Sequence, residues 1–64
     1  MLAENIKRYR AEKGLSQEQL AQKAGVTYST LTKLESGVNQ NPKVKTLQAV
    51  AEALEVTLDD LMRN

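Results

Sequence analysis

A short segment in the middle of the chain carries side chains that can bond to a polar surface. They are three hydroxyls and one ammonium group, carried by Tyr28, Ser29, Thr32 and Lys33. Leu31 and Leu34 stand between and beside them, so at helical spacing the leucines face one side and the polar groups the other. Hydroxyls donate and accept hydrogen bonds, and an ammonium group donates or neutralises an anion. The pattern predicts a helix with one exposed face, whose side chains bind a polar surface.

Catalytic chemistry has little support in this sequence. The chain has no Cys and no His, which excludes disulfides, ordinary zinc sites and the Ser–His and Cys–His nucleophile systems. Asp59 and Asp60 are adjacent at a predicted helix start, where they compensate the helix dipole rather than face a common site. We therefore expect no enzyme, no cofactor and no small-molecule ligand. The sequence also predicts no membrane span and no signal peptide, and a cytoplasmic location.

Length and charge predict one small domain, residues 1–64, with an aliphatic core. The net charge of +1 hides an asymmetry, because residues 1–45 carry +4 and residues 46–64 carry −3. A positive segment of this kind suits attraction to phosphate. The alternative is that these charges form ordinary solvated faces. The chain can also be a fragment of a longer regulator.

Three six-residue segments share one local pattern, and they are 15–20, 26–31 and 56–61. In each, an aliphatic residue precedes a Ser or Thr, and a Leu follows the Ser or Thr by four positions. The hydroxyl can cap a helix, and the two apolar residues can pack as a hydrophobic staple. The pattern predicts helices that begin at Gln17, Tyr28 and Leu58.

Two further helices complete an all-α fold, a compact bundle of five short helices. The first is predicted from about Leu2 to Lys13, and the fourth begins near Pro42–Val44, with Asn41 as its cap and Pro42 at its first position. Glu55 stands at a helix end where Gly or Asn is more usual, and a left-handed backbone there costs a non-glycine residue on the order of 1 kcal/mol.

The twenty residues 17–36, QEQLAQKAGVTYSTLTKLES, have the spacing of two helices joined by a turn that contains Gly. They resemble the helix-turn-helix of the lambda-repressor-like family, the Cro and xenobiotic-response-element type of regulator. The resemblance covers nearly the whole chain, through Gly14-Leu15-Ser16, Glu35-Ser36-Gly37, Asn41-Pro42 with Thr46-Leu47, and residues 56–61. It implies a domain that binds double-stranded DNA with its third helix in the major groove.

The resemblance also implies roles for individual residues. The side chains expected to contact DNA belong to Gln17, Thr27, Tyr28, Ser29, Thr32, Lys33, Gln40, Asn41 and Lys43. Arg10 and Glu35 match an ion pair that joins the first helix to the end of the third in family members. The outward face of helix three carries no Arg, Asn or Gln, the usual bidentate readers of bases. We therefore expect modest specificity, or more readout of DNA shape.

One recognition helix covers half of a two-fold site, so the resemblance implies a homodimer on a near-palindromic operator. Leu58, Leu61 and Met62 on the last helix are candidates for a small self-interface, or they simply close the core. The function predicted is a sequence-specific transcriptional regulator, most simply a repressor. The alternative is a protein-interaction module of the same fold, of the antitoxin or coactivator type.

Overall fold

Side-chain caps set the start of three of the helices. The structure is a computed structural model that describes residues 2–39 and 41–63. The helices in this part of the chain are α1 (Leu2–Glu12), α2 (Gln17–Ala24), α3 (Tyr28–Ser36), α4 (Val44–Leu54) and α5 (Leu58–Met62). Ser16, Thr27 and Thr57 each accept a hydrogen bond from the backbone N–H three residues later. Gln19 and Asp60 return the bond and close capping boxes for α2 and α5. The predicted starts of α2, α3 and α5 are confirmed, as is an all-α fold with five helices in the described part of the chain.

α4 begins at Val44, within the predicted range, but its cap differs from the prediction. Lys43, not Asn41, is the residue before the helix, and it is extended, with φ −65° and ψ 145°. Pro42 therefore lies ahead of the helix rather than at its first position. The Asn39 side chain accepts the Asn41 N–H at 3.2 Å and closes a local turn there. The prediction of an Asn41 cap is wrong, and α4 begins without any side-chain cap.

The end of α4 is left-handed, as the sequence suggested. Glu55 has φ 60° and ψ 38°, and its N–H bonds to the carbonyls of Ala51 and Glu52. Its carboxylate forms an exposed ion pair with Lys13, at the end of α1. This residue combines a strained backbone with a surface charge pair, and the two have opposite effects on stability.

Glu55→Gly is expected to melt above Glu55→Ala by roughly 4–8 °C, since about 1 kcal/mol of backbone strain shifts the melting temperature of a small domain by that amount. Both variants lose the same ion pair with Lys13, so the alanine variant is the matched control. The Glu55→Gly variant should also have a higher melting temperature than the unchanged chain, because exposed ion pairs contribute little to stability. Thermal unfolding followed by circular dichroism measures the difference. Equal melting of the Gly and Ala variants would contradict the backbone argument.

The carboxyl groups of Glu55 and Asp60 are expected to make the stability depend on pH in the acidic range. The Lys13 ammonium lowers the pKa of Glu55, and the hydrogen bond from the Thr57 N–H lowers the pKa of Asp60. A lowered pKa in the folded state means that the stabilisation is complete above the pKa of the unfolded carboxyl. It is lost as the pH falls from that value through the lower pKa of the folded carboxyl. We expect the free energy of unfolding to fall below about pH 4.5, where the unfolded carboxyls begin to bind protons.

Asp60→Asn should make this acid dependence shallower, because the amide oxygen keeps an acceptor for Thr57 but does not titrate. Urea unfolding at several pH values between neutral and strongly acidic measures the slope. An unchanged slope in both Asp60→Asn and Glu55→Gln would show that these two groups do not carry the dependence.

A single aliphatic core lies between the helices. Its members are Ile6, Leu20, Ala21, Leu31, Leu34, Val50, Ala51, Ala53, Leu54 and Leu61. α1 packs on α3 and α5, α2 packs on α3 and α4, and α4 also packs on α5. α3 is thus held from behind by two helices. None of the helices described is long and apolar enough to cross a membrane.

A buried amide joins the two ends of the described chain. Asn5 is 7% exposed, and its Nδ2 donates to the carbonyl oxygens of Leu61, at 2.8 Å, and Arg63. These carbonyls belong to the end of α5 and have no partner within that helix. Sequence reasoning missed Asn5, although its place on the inward stripe between Leu2 and Tyr9 is a signal for a buried polar residue.

Candidate nucleic-acid interface

The junction between α2 and α3 turns in three residues. Gly25 is left-handed, with φ 73°, and its N–H bonds to the carbonyls of Ala21 and Gln22. The Val26 N–H also bonds to the Ala21 carbonyl, at 3.0 Å, and Thr27 then caps α3. Residues without glycine's freedom would be strained at this φ. The two helices are therefore joined by a tight turn with few degrees of freedom.

The outer face of α3 presents the polar residues expected there. Leu31 and Leu34 are buried, whereas Tyr28 is 52% exposed. Ser29 and Lys33 are exposed and Thr32 is half-buried. The face is a ridge of hydroxyls that ends in one ammonium group, next to a small apolar surface from the tyrosine ring.

Three threonine hydroxyls, on α3 and at its cap, already form local hydrogen bonds. Thr27 Oγ1 accepts the Thr30 N–H at 3.0 Å and donates to Thr30 Oγ1 at 2.8 Å. Thr32 Oγ1 donates to the Ser29 carbonyl at 2.9 Å. In this arrangement Thr32 offers lone pairs and a methyl group outward, but no hydrogen-bond donor.

An ion pair connects α1 to the end of α3. Arg10 Nε donates to Glu35 Oε2 at 2.7 Å, and Nη2 donates to Glu35 Oε1 at 3.0 Å. The remaining Arg10 nitrogen, Nη1, donates to the Leu15 carbonyl at 2.9 Å. Glu35 is only 3% exposed. The two-point geometry is that of a planar guanidinium on a carboxylate, and it fixes the end of α3 against α1 and the α1–α2 junction.

Gln17 makes contacts that sequence reasoning missed. Its Nε2 donates to Glu35 Oε1 at 3.1 Å, and its Oε1 accepts the Tyr28 hydroxyl at a long 3.4 Å. Gln17 is the first residue of α2 and is half-buried. Gln17, the residue expected to contact phosphate, thus forms hydrogen bonds both to the buried ion pair, through Glu35, and to the recognition helix, through Tyr28. No periodicity in the sequence indicates this, because it depends on how the elements pack.

The remaining candidates lie on the connection to α4 and on α5. Asn41 and Lys43 are exposed residues before the start of α4, and Gln40 lies outside the described residues. Leu61 is fully buried in the core, so its side chain offers no surface to a second copy. The accessible surface of α5 comes from Leu58, which is half-buried, and Met62, which is 54% exposed.

These features define a class of protein, the helix-turn-helix domain. In it, α2 holds α3 against the rest of the domain, and the polar face of α3 is exposed. The family profile described as helix-turn-helix matches residues 6–61. The chain belongs to this family. The family members to which it is similar are DNA-binding transcriptional regulators, not enzymes.

Two curated relatives come from Bacillus subtilis (strain 168). The chain is 40% identical to the HTH-type transcriptional regulator SinR over 62 residues, which is 97% of this chain and 56% of SinR. It is 46% identical to the HTH-type transcriptional regulator SlrR over 61 residues, which is 95% of this chain and 40% of SlrR. The chain therefore spans about half the length of these relatives.

The fold is also similar to a solved structure. The crystal structure of the master regulator for biofilm formation SinR in complex with DNA superimposes with a TM-score of 0.94. The match has 40% identity and covers 98% of this chain and all of that one. This chain is therefore similar in backbone geometry, as well as in sequence, to a helix-turn-helix domain that was solved with DNA.

Proposed function

We propose that this chain is a sequence-specific DNA-binding domain of a transcriptional regulator, which inserts α3 into the major groove of double-stranded DNA. The observation that carries the proposal is the exposed polar face of α3, held by α2 and by the Arg10–Glu35 pair. The likeness to a helix-turn-helix domain solved with DNA supports it. Binding to the chromosome implies action in the cytoplasm.

Base contacts and phosphate contacts fall to different residues in this proposal. Ser29 and Lys33 face base edges, where the hydroxyl donates or accepts and the ammonium donates to guanine O6 or N7. Thr32 offers its methyl to thymine and its lone pairs to an amino group. Thr27 and Tyr28 contact the sugar–phosphate backbone at the start of α3, and Gln17 contacts phosphate at the start of α2.

The uncapped start of α4 supports a further phosphate contact. α2, α3 and α5 each have a side-chain acceptor at their first free N–H groups, whereas α4 has none and has no acidic residue in its first turn. Lys43 and Lys45 stand beside these N–H groups. Free N–H groups, the positive end of the helix dipole and two lysines together favour an anion. Asn41, an exposed residue before this helix, contacts the DNA backbone at the same place in this proposal.

The operator and the mode of action complete the proposal. Two copies bind a near-palindrome with half-sites about one helical turn, roughly 34 Å, apart. Leu58 and Met62 supply the small self-contact between the copies. Occupancy of the operator blocks polymerase, so the regulator acts as a repressor.

Selection from a random-sequence duplex pool, at low and at moderate salt, tests this function. A two-fold-symmetric motif with half-sites one turn apart is the expected result, with affinity that falls steeply as salt rises. Binding without enrichment of any sequence would reject sequence-specific recognition. Absence of salt-dependent binding would reject DNA as the target and direct attention to a protein partner.

A further inference from the structure

A continuous set of hydrogen bonds runs from the buried ion pair to the outer face of α3. Arg10 donates two bonds to Glu35, Gln17 Nε2 donates to the same carboxylate, and the Tyr28 hydroxyl donates to Gln17 Oε1. The set begins at a carboxylate that is 3% exposed and ends at a tyrosine that is 52% exposed. It therefore links a buried charge to a surface group that faces the proposed DNA.

The charge of Glu35 fixes the direction of the two bonds that Gln17 makes. A carboxylate can only accept, so the atom of Gln17 that faces it must be the amide nitrogen. The amide oxygen then lies on the side of Tyr28, where it can only accept, and the phenol must donate. Without the carboxylate, the amide of Gln17 would have no reason to prefer one of its two orientations.

We infer that Glu35 is a positioning residue for DNA binding, because its buried carboxylate sets the orientation of the Gln17 amide and, through it, the Tyr28 hydroxyl. The inference rests on the proposed function. One Nε2 hydrogen of Gln17 is bonded to Glu35, which leaves the second hydrogen to donate to a phosphate at the start of α2. The ion pair thus acts on recognition as well as on the fold.

A mutant cycle on DNA affinity tests this inference. Gln17→Ala is expected to weaken binding of the selected duplex about tenfold in the unchanged chain, as for a hydrogen bond to a charged group. In the background Arg10→Met/Glu35→Leu, the same change should weaken binding less than about twofold, because Gln17 is no longer oriented there. The measurement is titration of the duplex at a temperature where all four proteins are folded by circular dichroism.

Lys33→Ala is the matched control for the cycle. The Lys33 side chain is outside this set of hydrogen bonds, so its loss should reduce affinity by the same factor in both backgrounds. An equal loss for Gln17→Ala in both backgrounds would overturn the inference and leave Glu35 with a structural role only. Failure of the unchanged chain to bind any duplex would reject the proposed function itself, which is a different outcome.

NMR of the Gln17 side-chain amide tests the positioning without DNA. One Nε2 hydrogen should be shifted downfield and protected from exchange with solvent, whereas the other should exchange freely. In Arg10→Met/Glu35→Leu, or in Glu35→Gln if the double variant does not fold, the shift and protection should decrease. Two hydrogens with the chemical shifts and exchange rates of a solvent-exposed primary amide, in the unchanged chain, would overturn the inference.

Discussion

Replacing Arg10 by Met is expected to destabilise the chain by about 3–5 kcal/mol, the usual cost of removing one partner from a buried ion pair. Glu35, which is 3% exposed in the unchanged chain, would lose its guanidinium partner and keep Gln17 as its remaining side-chain donor among the described residues. A domain of this length has a total stability of roughly 3–10 kcal/mol. The single variant should therefore lose a large share of its stability.

The double variant Arg10→Met/Glu35→Leu should recover most of this loss. Two apolar side chains of similar size remove the desolvation cost together with the attraction, and such replacements are often neutral. Urea unfolding of the unchanged chain, the two single variants and the double variant gives the coupling energy. Losses that add, with the double variant less stable than Arg10→Met, would contradict an ion pair that is coupled in this way.

Reversing the charge of Lys33 is expected to have the largest effect on DNA affinity among single exposed changes. Loss of a specific contact to a base costs about 1–3 kcal/mol, or roughly 5- to 150-fold, and the new carboxylate adds repulsion from phosphate. The log–log dependence of affinity on salt should also become shallower, by about 0.9 for each phosphate that the variant no longer neutralises. Titration of the selected duplex at several salt concentrations measures both quantities.

Lys23→Glu provides a control with the same change in net charge. Lys23 lies in the last turn of α2, close enough to Glu55 to influence that carboxyl, and away from the outer face of α3. We expect it to change affinity much less than Lys33→Glu. Equal losses from the two variants would mean that net charge, and not contact by α3, determines binding.

The parts of the fold that depend on neighbours in the chain were predictable from sequence. The starts of α2, α3 and α5 follow from a hydroxyl, an apolar residue before it and a Leu after it, all within six residues. The left-handed backbone at Glu55 follows from its place after an apolar helix. The cap of α4 was mispredicted because the Asn39 side chain accepts the Asn41 N–H and forms a local turn there, and Lys43 becomes the residue before the helix.

The candidate site was predictable in its outline but not in its connections. The polar residues on α3 follow from helical spacing around Leu31 and Leu34. The bond from Gln17 to Glu35 does not, because these residues are 18 positions apart and meet only when α2 and α3 cross. Which hydrogen-bond donors remain for DNA depends on local bonds such as that from the Thr32 hydroxyl to the Ser29 carbonyl, and sequence spacing does not indicate those bonds.

The amide of Asn5 has a consequence for the order of folding. α5 has five residues, too few to be helical alone in water, and its last turn is anchored by a residue 56 positions away. Closing so long a loop costs entropy before any contact compensates for it. By contrast, α2, the turn and α3 are formed by contacts close in sequence. We expect the helix-turn-helix to assemble first and α5 to become helical last, when α1 is in place to receive it.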